Sequence, residues 1–167
     1  MVTCDMNRFQ GFFQICANCC IPASIENVIR YHGGDFPQRE FLDKFLKKYR
    51  MTDLHFTKVK EFLDCDVNFN KYFTCDHKTK EHHKNFDGLL AYFHECISKD
   101  LPVIVALNQK TQDGVNKHVV TVHYIEGDKI SYFDSDPKSD GFNNFKQKHD
   151  FVKLLSENLG TLVIKRK

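Results

Sequence analysis

The sequence predicts an α+β fold. Apolar residues recur at helical spacing through the first hundred positions, β-branched runs dominate the rest, and no repeat or Gly/Pro/Ser-rich linker divides the chain. At 167 residues this is the length of one domain, so residues 1–167 are expected to form a single unit, with sixteen phenylalanines available for its core.

In the first half, Ile21, Ile25, Val28 and Ile29 follow Cys20 at helical spacing and Gly33-Gly34 supplies a stop, predicting a helix over about 20–32. Phe41, Leu42, Phe45, Leu46 and Tyr49 mark a second helix entered through Pro37, and Phe56, Val59, Phe62 and Leu63 a short third one. From Asp66 to Lys84 no period is clear, although Phe73 suits a short strand. Phe86, Leu89, Leu90, Phe93 and Ile97 predict a fourth helix, with Asn85 or Asp87 as its N-cap.

The character changes at Pro102. Val103–Leu107, His118–Ile125 and Ile130–Asp134 read as strands, the last two joined as a hairpin through Glu126-Gly127-Asp128. Asp113-Gly114 is a turn signal between the first two, so the Asn108–Lys117 connection lies next to His118. A late helix around Phe151, Leu154 and Leu155 and a closing strand over Thr161–Ile164 complete the expectation.

Composition excludes several classes. A net charge of +2 arises from 24 basic and 22 acidic residues of interspersed sign, which does not suit a nucleic-acid or anionic-membrane partner, and Lys165–Lys167 reads as a solvated terminus. The longest apolar stretch, Leu101–Leu107, is too short to span a bilayer, and no N-terminal run resembles a signal peptide. Seven cysteines without a regular framework suit reduced thiols, so the expected location is cytoplasmic, or that of an effector delivered into another cell.

Chemistry-bearing residues cluster around Cys20. A cysteine is nucleophilic as thiolate, and the unpaired N–H groups and positive dipole end of a helix N-terminus favour that charge. Such a nucleophile needs a base within hydrogen-bond reach and a third group to orient the base. His118 heads one strand and Asp134 ends its hairpin partner, so pairing can bring them together. Gln14, six residues before Cys20, offers a side-chain amide to a developing oxyanion alongside the Cys20 backbone N–H.

The same residues carry a family resemblance. The run from Cys20 through Pro22-Ala23-Ser24 to Tyr31-His32-Gly33 resembles the Cys-Gly-Pro-Ala-Ser helix, ending in Tyr-Tyr-Gly, of the bacteriocin-processing (double-glycine) peptidase family of papain-like cysteine proteases. Leu101–Val105, His118-Val119-Val120 and Phe133–Pro137 resemble, in order, that family's Gly-x-Pro-Val-Ile-Val strand, its His strand and its strand ending in Asp-Pro. The resemblance implies a papain-like fold, N-terminal helices packed on a C-terminal antiparallel sheet, with Cys20 as nucleophile, His118 as general base and acid, an aspartate as orienter and Gln14 in the oxyanion hole. It implies a peptide or protein substrate cut at a Gly-Gly or other small-residue site, and neither cofactor nor metal. By motif the orienter matches Asp136, whereas hairpin length favours Asp134. Ile21 stands where the family has glycine.

Other readings compete. Cys16-x-x-Cys19 is half a zinc site or a redox pair, with Cys75, Asp76, His77, His82 and His83 as the only candidate partners, in a lysine-rich stretch that reads as a solvated loop. Cys19 reads as a packed thiol, His123 as lying on the strand face opposite His118, and His32 and His94 as packing or surface residues. The triad equally serves acyl transfer or protein-glutamine deamidation, and a degenerate domain that only binds peptide is a third function class. Ile130–Ser135 also resembles the aspartate strand of ubiquitin-like-protein proteases, in which Cys and His come in reverse order.

Overall fold

The computed structural model describes residues 2–111, 114–141 and 144–167. The first half holds strand β1 (Val2–Thr3), helices α1 (Cys20–Tyr31), α2 (Gln38–Phe45), α3 (Phe56–Cys65) and α4 (Val67–Tyr72), strand β2 (Phe73–Lys78), and helices α5 (Lys80–His83) and α6 (Phe86–Ser98). The second half holds β3 (Val103–Thr111), β4 (Gly114–Glu126), β5 (Lys129–Asp134), β6 (Asn144–Gln147), α7 (Lys148–Leu154) and β7 (Thr161–Arg166). Among the described residues no helix is long and apolar enough to cross a membrane.

Helix α1 begins at the nucleophile candidate because Pro22 falls in the first turn, where its missing N–H costs nothing. Its end is a Schellman cap. Gly33 takes a φ of +82°, its N–H donates to the Arg30 carbonyl at 2.9 Å, and the Gly34 N–H donates to Ile29 at 2.9 Å. Gly34 is needed for a second reason, since a Cβ there would lie 2.6 Å from the Phe73 ring and 2.8 Å from the Ile29 side chain.

The strands form an antiparallel sheet in the order β2-β7-β3-β4-β5-β6, with β1 added to β4. Alternation along the central strands feeds two clusters of buried side chains. Ile104, Val119 and Leu162 meet Ile25 and Val28 of α1 and the aromatic group Phe41, Phe45 and Phe62 of α2 and α3. Val105, Val120 and Val122 point the other way, toward Leu89 and Phe93 of α6 and Phe151 of α7.

One irregularity decides which side chains share a face. From the Gly127 turn the β4–β5 ladder pairs Glu126 with Lys129, Ile125 with Ile130 and Tyr124 with Ser131. A register shift between Val122 and Tyr124 then leaves His123 as the extra residue. Beyond it Val122 pairs with Tyr132 and Val120 with Asp134. A ladder without the shift would set Asp134 opposite Thr121, on the face away from His118.

Several elements differ from expectation. Strand β3 is four residues longer than its apolar run because Asn108–Thr111 continue the ladder with β4, and Asp113 of the expected turn lies outside the described residues. The aperiodic stretch holds α4, too short to show a helical period. It is started by the Asp66 carboxylate accepting from the Phe69 N–H at 2.8 Å, and only Phe69 is buried. Strands β1 and β6 are edge pieces of two and four residues, below the length at which alternation reads.

The two packing constraints predict costs. Gly34→Ala should lower stability by about 1–3 kcal/mol through overpacking, and Phe93→Ala by about 3–5 kcal/mol through the cavity it leaves. Urea unfolding of the two variants checks this, and an unchanged midpoint for Gly34→Ala would contradict the close approach of Phe73.

Candidate active site

Cys20 is the first residue of α1, half-buried, with a free thiol. The helix packs against β4, and its first residues share a cleft with His118 of that strand. Cys20, Ile21, Asn18, Gln109, His118 and Val119 line one cleft, of 360 Å³.

His118 is 9% exposed and its Nε2 lies 2.8 Å from Asp134 Oδ1, which leaves Nδ1 as the other ring nitrogen. The register shift permits this contact, because Asp134 pairs with Val120, two residues from His118 on the same face. Asp134 Oδ1 also accepts the Asp136 backbone N–H at 2.9 Å, and the Ser139 hydroxyl donates to the Asp134 carbonyl at 2.9 Å. Asp136 is engaged elsewhere, its carboxylate accepting from the Lys138 N–H at 2.9 Å. Of the two aspartates weighed from sequence, Asp134 is the one hydrogen-bonded to His118.

Electrostatics at the imidazole are set by opposing causes. Burial alone would depress the His118 pKa; hydrogen bonds with Asp134 and with the Cys20 thiol, and the charge of both, outweigh it and raise the pKa to about 10. The ring is therefore an imidazolium at neutral pH, held between a carboxylate and a sulfur. Since the folded value lies above the ordinary 6.5, this contribution to stability is fully present below about pH 6.5 and is lost as pH rises through about 10.

Gln14 is hydrogen-bonded to other groups. Its backbone N–H donates to the Ser135 carbonyl at 2.9 Å and its Oε1 accepts from the Ser135 hydroxyl at 3.1 Å, so the segment before α1 is fastened to the residue after Asp134. Its Nε2 donates to the Cys16 and Ala17 carbonyls at 3.0 and 3.1 Å, inside the loop leading to Cys20. That loop carries a disulfide. Cys16 and Cys19 are bonded, with Cα atoms 5.2 Å apart, where the sequence suggested reduced thiols and a packed Cys19.

The sequence did not single out the polar side chains that hold this segment. Asn27 accepts from the Phe12 N–H at 2.7 Å and donates to the Phe12 carbonyl at 2.8 Å. Gln38 accepts from the Ile15 N–H and donates to the Phe13 carbonyl, both at 2.9 Å, and its own backbone N–H donates to the Glu26 carboxylate at 3.1 Å. The available signal was Glu26-Asn27 beside the apolar stripe of α1, polar residues that a helix buried on two sides must satisfy internally.

The remaining candidates are accounted for locally. Cys75 is buried, and burial pushes its thiol up to about 12; Asp76 pairs with Lys165 at 2.7 Å; the His82 ring accepts from the Thr79 N–H at 3.2 Å; and His83 Nε2 lies 3.1 Å from the Thr161 hydroxyl. His123 is buried at the register shift, and burial lowers its pKa to about 4.

The family model described as the Peptidase_C39 like family matches residues 6–157. The chain belongs to this family. No curated protein sequence matches it. Among solved structures this C39-like chain is similar to the peptidase domain of Streptococcus ComA, a bifunctional ABC transporter involved in quorum sensing. The TM-score is 0.59 at 16% identity, covering 93% of this chain and 95% of that one. It is also similar to a double-glycine-motif protease from an AMS/PCAT transporter, solved with its leader peptide, with a TM-score of 0.64 at 14% identity, covering 100% and 99%. Both likenesses concern the fold, and they make it the papain-like α+β fold of C39 peptidases.

The charged pair predicts a titration. NMR of the His118 ring should give a midpoint near 10, and Asp134→Asn should bring it down sharply because burial then opposes only the Cys20 contribution. A midpoint at the ordinary 6.5 in the unmodified protein would rule out the pairing.

Proposed function

We propose that the chain is a single-domain cysteine peptidase cutting a peptide or protein substrate through a thioester intermediate. The observation that carries this reading is the His118 imidazole, bonded to Asp134 at 2.8 Å and lining one cleft with the Cys20 thiol.

The Cys20 thiolate attacks the scissile carbonyl, and the resulting oxyanion takes a hydrogen bond from the Cys20 backbone N–H, a group without a helical partner in the first turn. Gln14 is the second donor in this proposal, and it serves by exchanging the Ala17 carbonyl for the oxyanion. Collapse of the tetrahedral adduct breaks the C–N bond, with the leaving amine taking a proton from His118 and the acyl group remaining on sulfur. His118, now neutral, removes a proton from water, the hydroxide adds to the thioester carbonyl, and departure of the thiolate restores the charged pair. Asp134 keeps the ring oriented throughout.

Membership of the C39-like family supports hydrolysis as the outcome. By analogy with the AMS/PCAT protease bound to its leader peptide, a peptide carrying a Gly-Gly or other small-residue pair is the first substrate to test.

Mass spectrometry of products separates a backbone cut from deamidation or an acyl adduct, and iodoacetamide labelling locates the reactive thiol. Cys20→Ala should abolish both cleavage and cleft labelling, and Gln14→Ala should lower kcat by about 10²–10³-fold with Cys20 still labelled. Cleavage that survives Cys20→Ala would end the assignment, and labelling without any turnover would leave a domain that binds peptide only.

A further inference from the structure

A cavity of 160 Å³ lies where the start of α3, the β3–β4 ladder and the loop before β7 come together. Its apolar lining includes Phe56, Ala106 and Val119. Ala106 pairs with Val119 across the ladder and contributes only a methyl group, whereas Ile104 on the same face carries a full aliphatic side chain. The polar lining includes Lys117, Ser156, His55 and His77, and among the described residues no Asp or Glu lines the cavity.

The basic groups here lack a counter-charge. Lys117 reaches the cavity from the exposed surface, and its Nζ donates to Asn108 Oδ1 at 3.1 Å and to Ser156 Oγ at 2.8 Å. Both acceptors are neutral, and an ammonium has three N–H groups, so among the described residues one of them has no acceptor. Ser156 is buried, and its hydroxyl, which accepts from Lys117, keeps its own proton to donate. His77 Nε2 is closed to solvent with no hydrogen-bond partner among the described residues. Burial lowers the His77 pKa, and the charged groups that act on the ring, Lys60, His82 and His55, are all basic and lower it further.

We propose that this cavity binds a small organic carboxylate, with its apolar body against Phe56, Ala106 and Val119 and its carboxylate on the Lys117 ammonium and the Ser156 hydroxyl. The body is bounded by size, since an apolar cavity of about 150 Å³ holds benzene. The charge is set by complementarity: a carboxylate takes the spare N–H and O–H in charge-assisted hydrogen bonds, and a cationic ligand would meet Lys117 with no acid to hold it. An inorganic anion would leave the apolar lining uncovered. The site requires no reaction at Cys20.

The test titrates the full chain with benzoate, benzamide and benzamidine, three probes of one shape that are anionic, neutral and cationic, and follows the methyl NMR signals of Ile21 and Val119. Benzoate should give saturable shifts and bind about ten-fold or more tightly than benzamide, with no saturable shift from benzamidine. Lys117→Met keeps the stem and removes the charge, and it should bring benzoate down to the level of benzamide. Ala106→Leu fills the space and should abolish the shifts with every probe.

The same carboxylate chemistry occurs in a free organic acid and at the C-terminus of a peptide. N-acetylphenylalanine, compared with its amide, stands for the peptide, and whichever of it and benzoate binds more tightly identifies the source. Benzamidine binding as well as benzoate, a benzoate preference that survives Lys117→Met, shifts that persist in Ala106→Leu, or no saturable shift with either carboxylate would each overturn the proposal. Where Ala106→Leu fails to fold, Lys117→Met, at the exposed rim, decides it.

Discussion

The register of the β4–β5 hairpin is the constraint on which the site depends. A strand pair places side chains on alternate faces, so parity alone decides whether Asp134 can reach His118. The extra residue at His123 changes that parity, and its backbone carbonyl is taken up outside the hairpin by the Cys4 N–H at 2.9 Å. With parity corrected, a 2.8 Å hydrogen bond joins Asp134 to the imidazole, and Asp134 together with Cys20 outweighs burial in favouring its charged form.

The second support is polar and runs through the helices. Asn27 on α1 and Gln38 at the start of α2 satisfy the backbone of residues 12–15, a segment without regular structure of its own, and Glu26 in turn engages Gln38. Removing one member of such a network strands its buried partners, each at a cost of about 1–3 kcal/mol. The segment so held carries Gln14, which is tied through Ser135 to the end of β5. The segment leading to α1 is thus braced against the helices by Asn27 and Gln38 and against the sheet by the Gln14–Ser135 pair.

Much of this was legible in the sequence where the signal is local. The α1 helix announced itself through Ile21, Ile25, Val28 and Ile29 and its Gly33-Gly34 stop, and Asn85 was readable as the cap of α6, where its side chain accepts from the Gly88 N–H at 2.9 Å. The strands of His118 and Asp134 were visible as β-branched runs. What escaped were consequences of tertiary contact: the register shift at His123, since His and Tyr there follow ordinary strand composition, and the bracing by Asn27, Gln38 and Ser135, whose partners lie 15 to 121 residues away. Gln14 was singled out by spacing, whereas its present partners, the Cys16 and Ala17 carbonyls, belong to a loop closed by the Cys16–Cys19 bond.

That bond changes the inventory of sulfur chemistry available to the molecule. Two of the seven cysteines are consumed in it, and Cys4, Cys75 and Cys96 are sealed in the interior, where burial keeps their protons in place at neutral pH. Among the described cysteines, Cys20 and the exposed Cys65 then remain open to an oxidant or an alkylating agent, and they stand at opposite ends of their helices: one opens α1, the other closes α3. Reducing conditions would release two further thiols within four residues of the nucleophile, of which Cys16 is exposed and Cys19 buried. The thiol stoichiometry of the folded protein therefore reports the oxidation state of the loop that delivers Cys20.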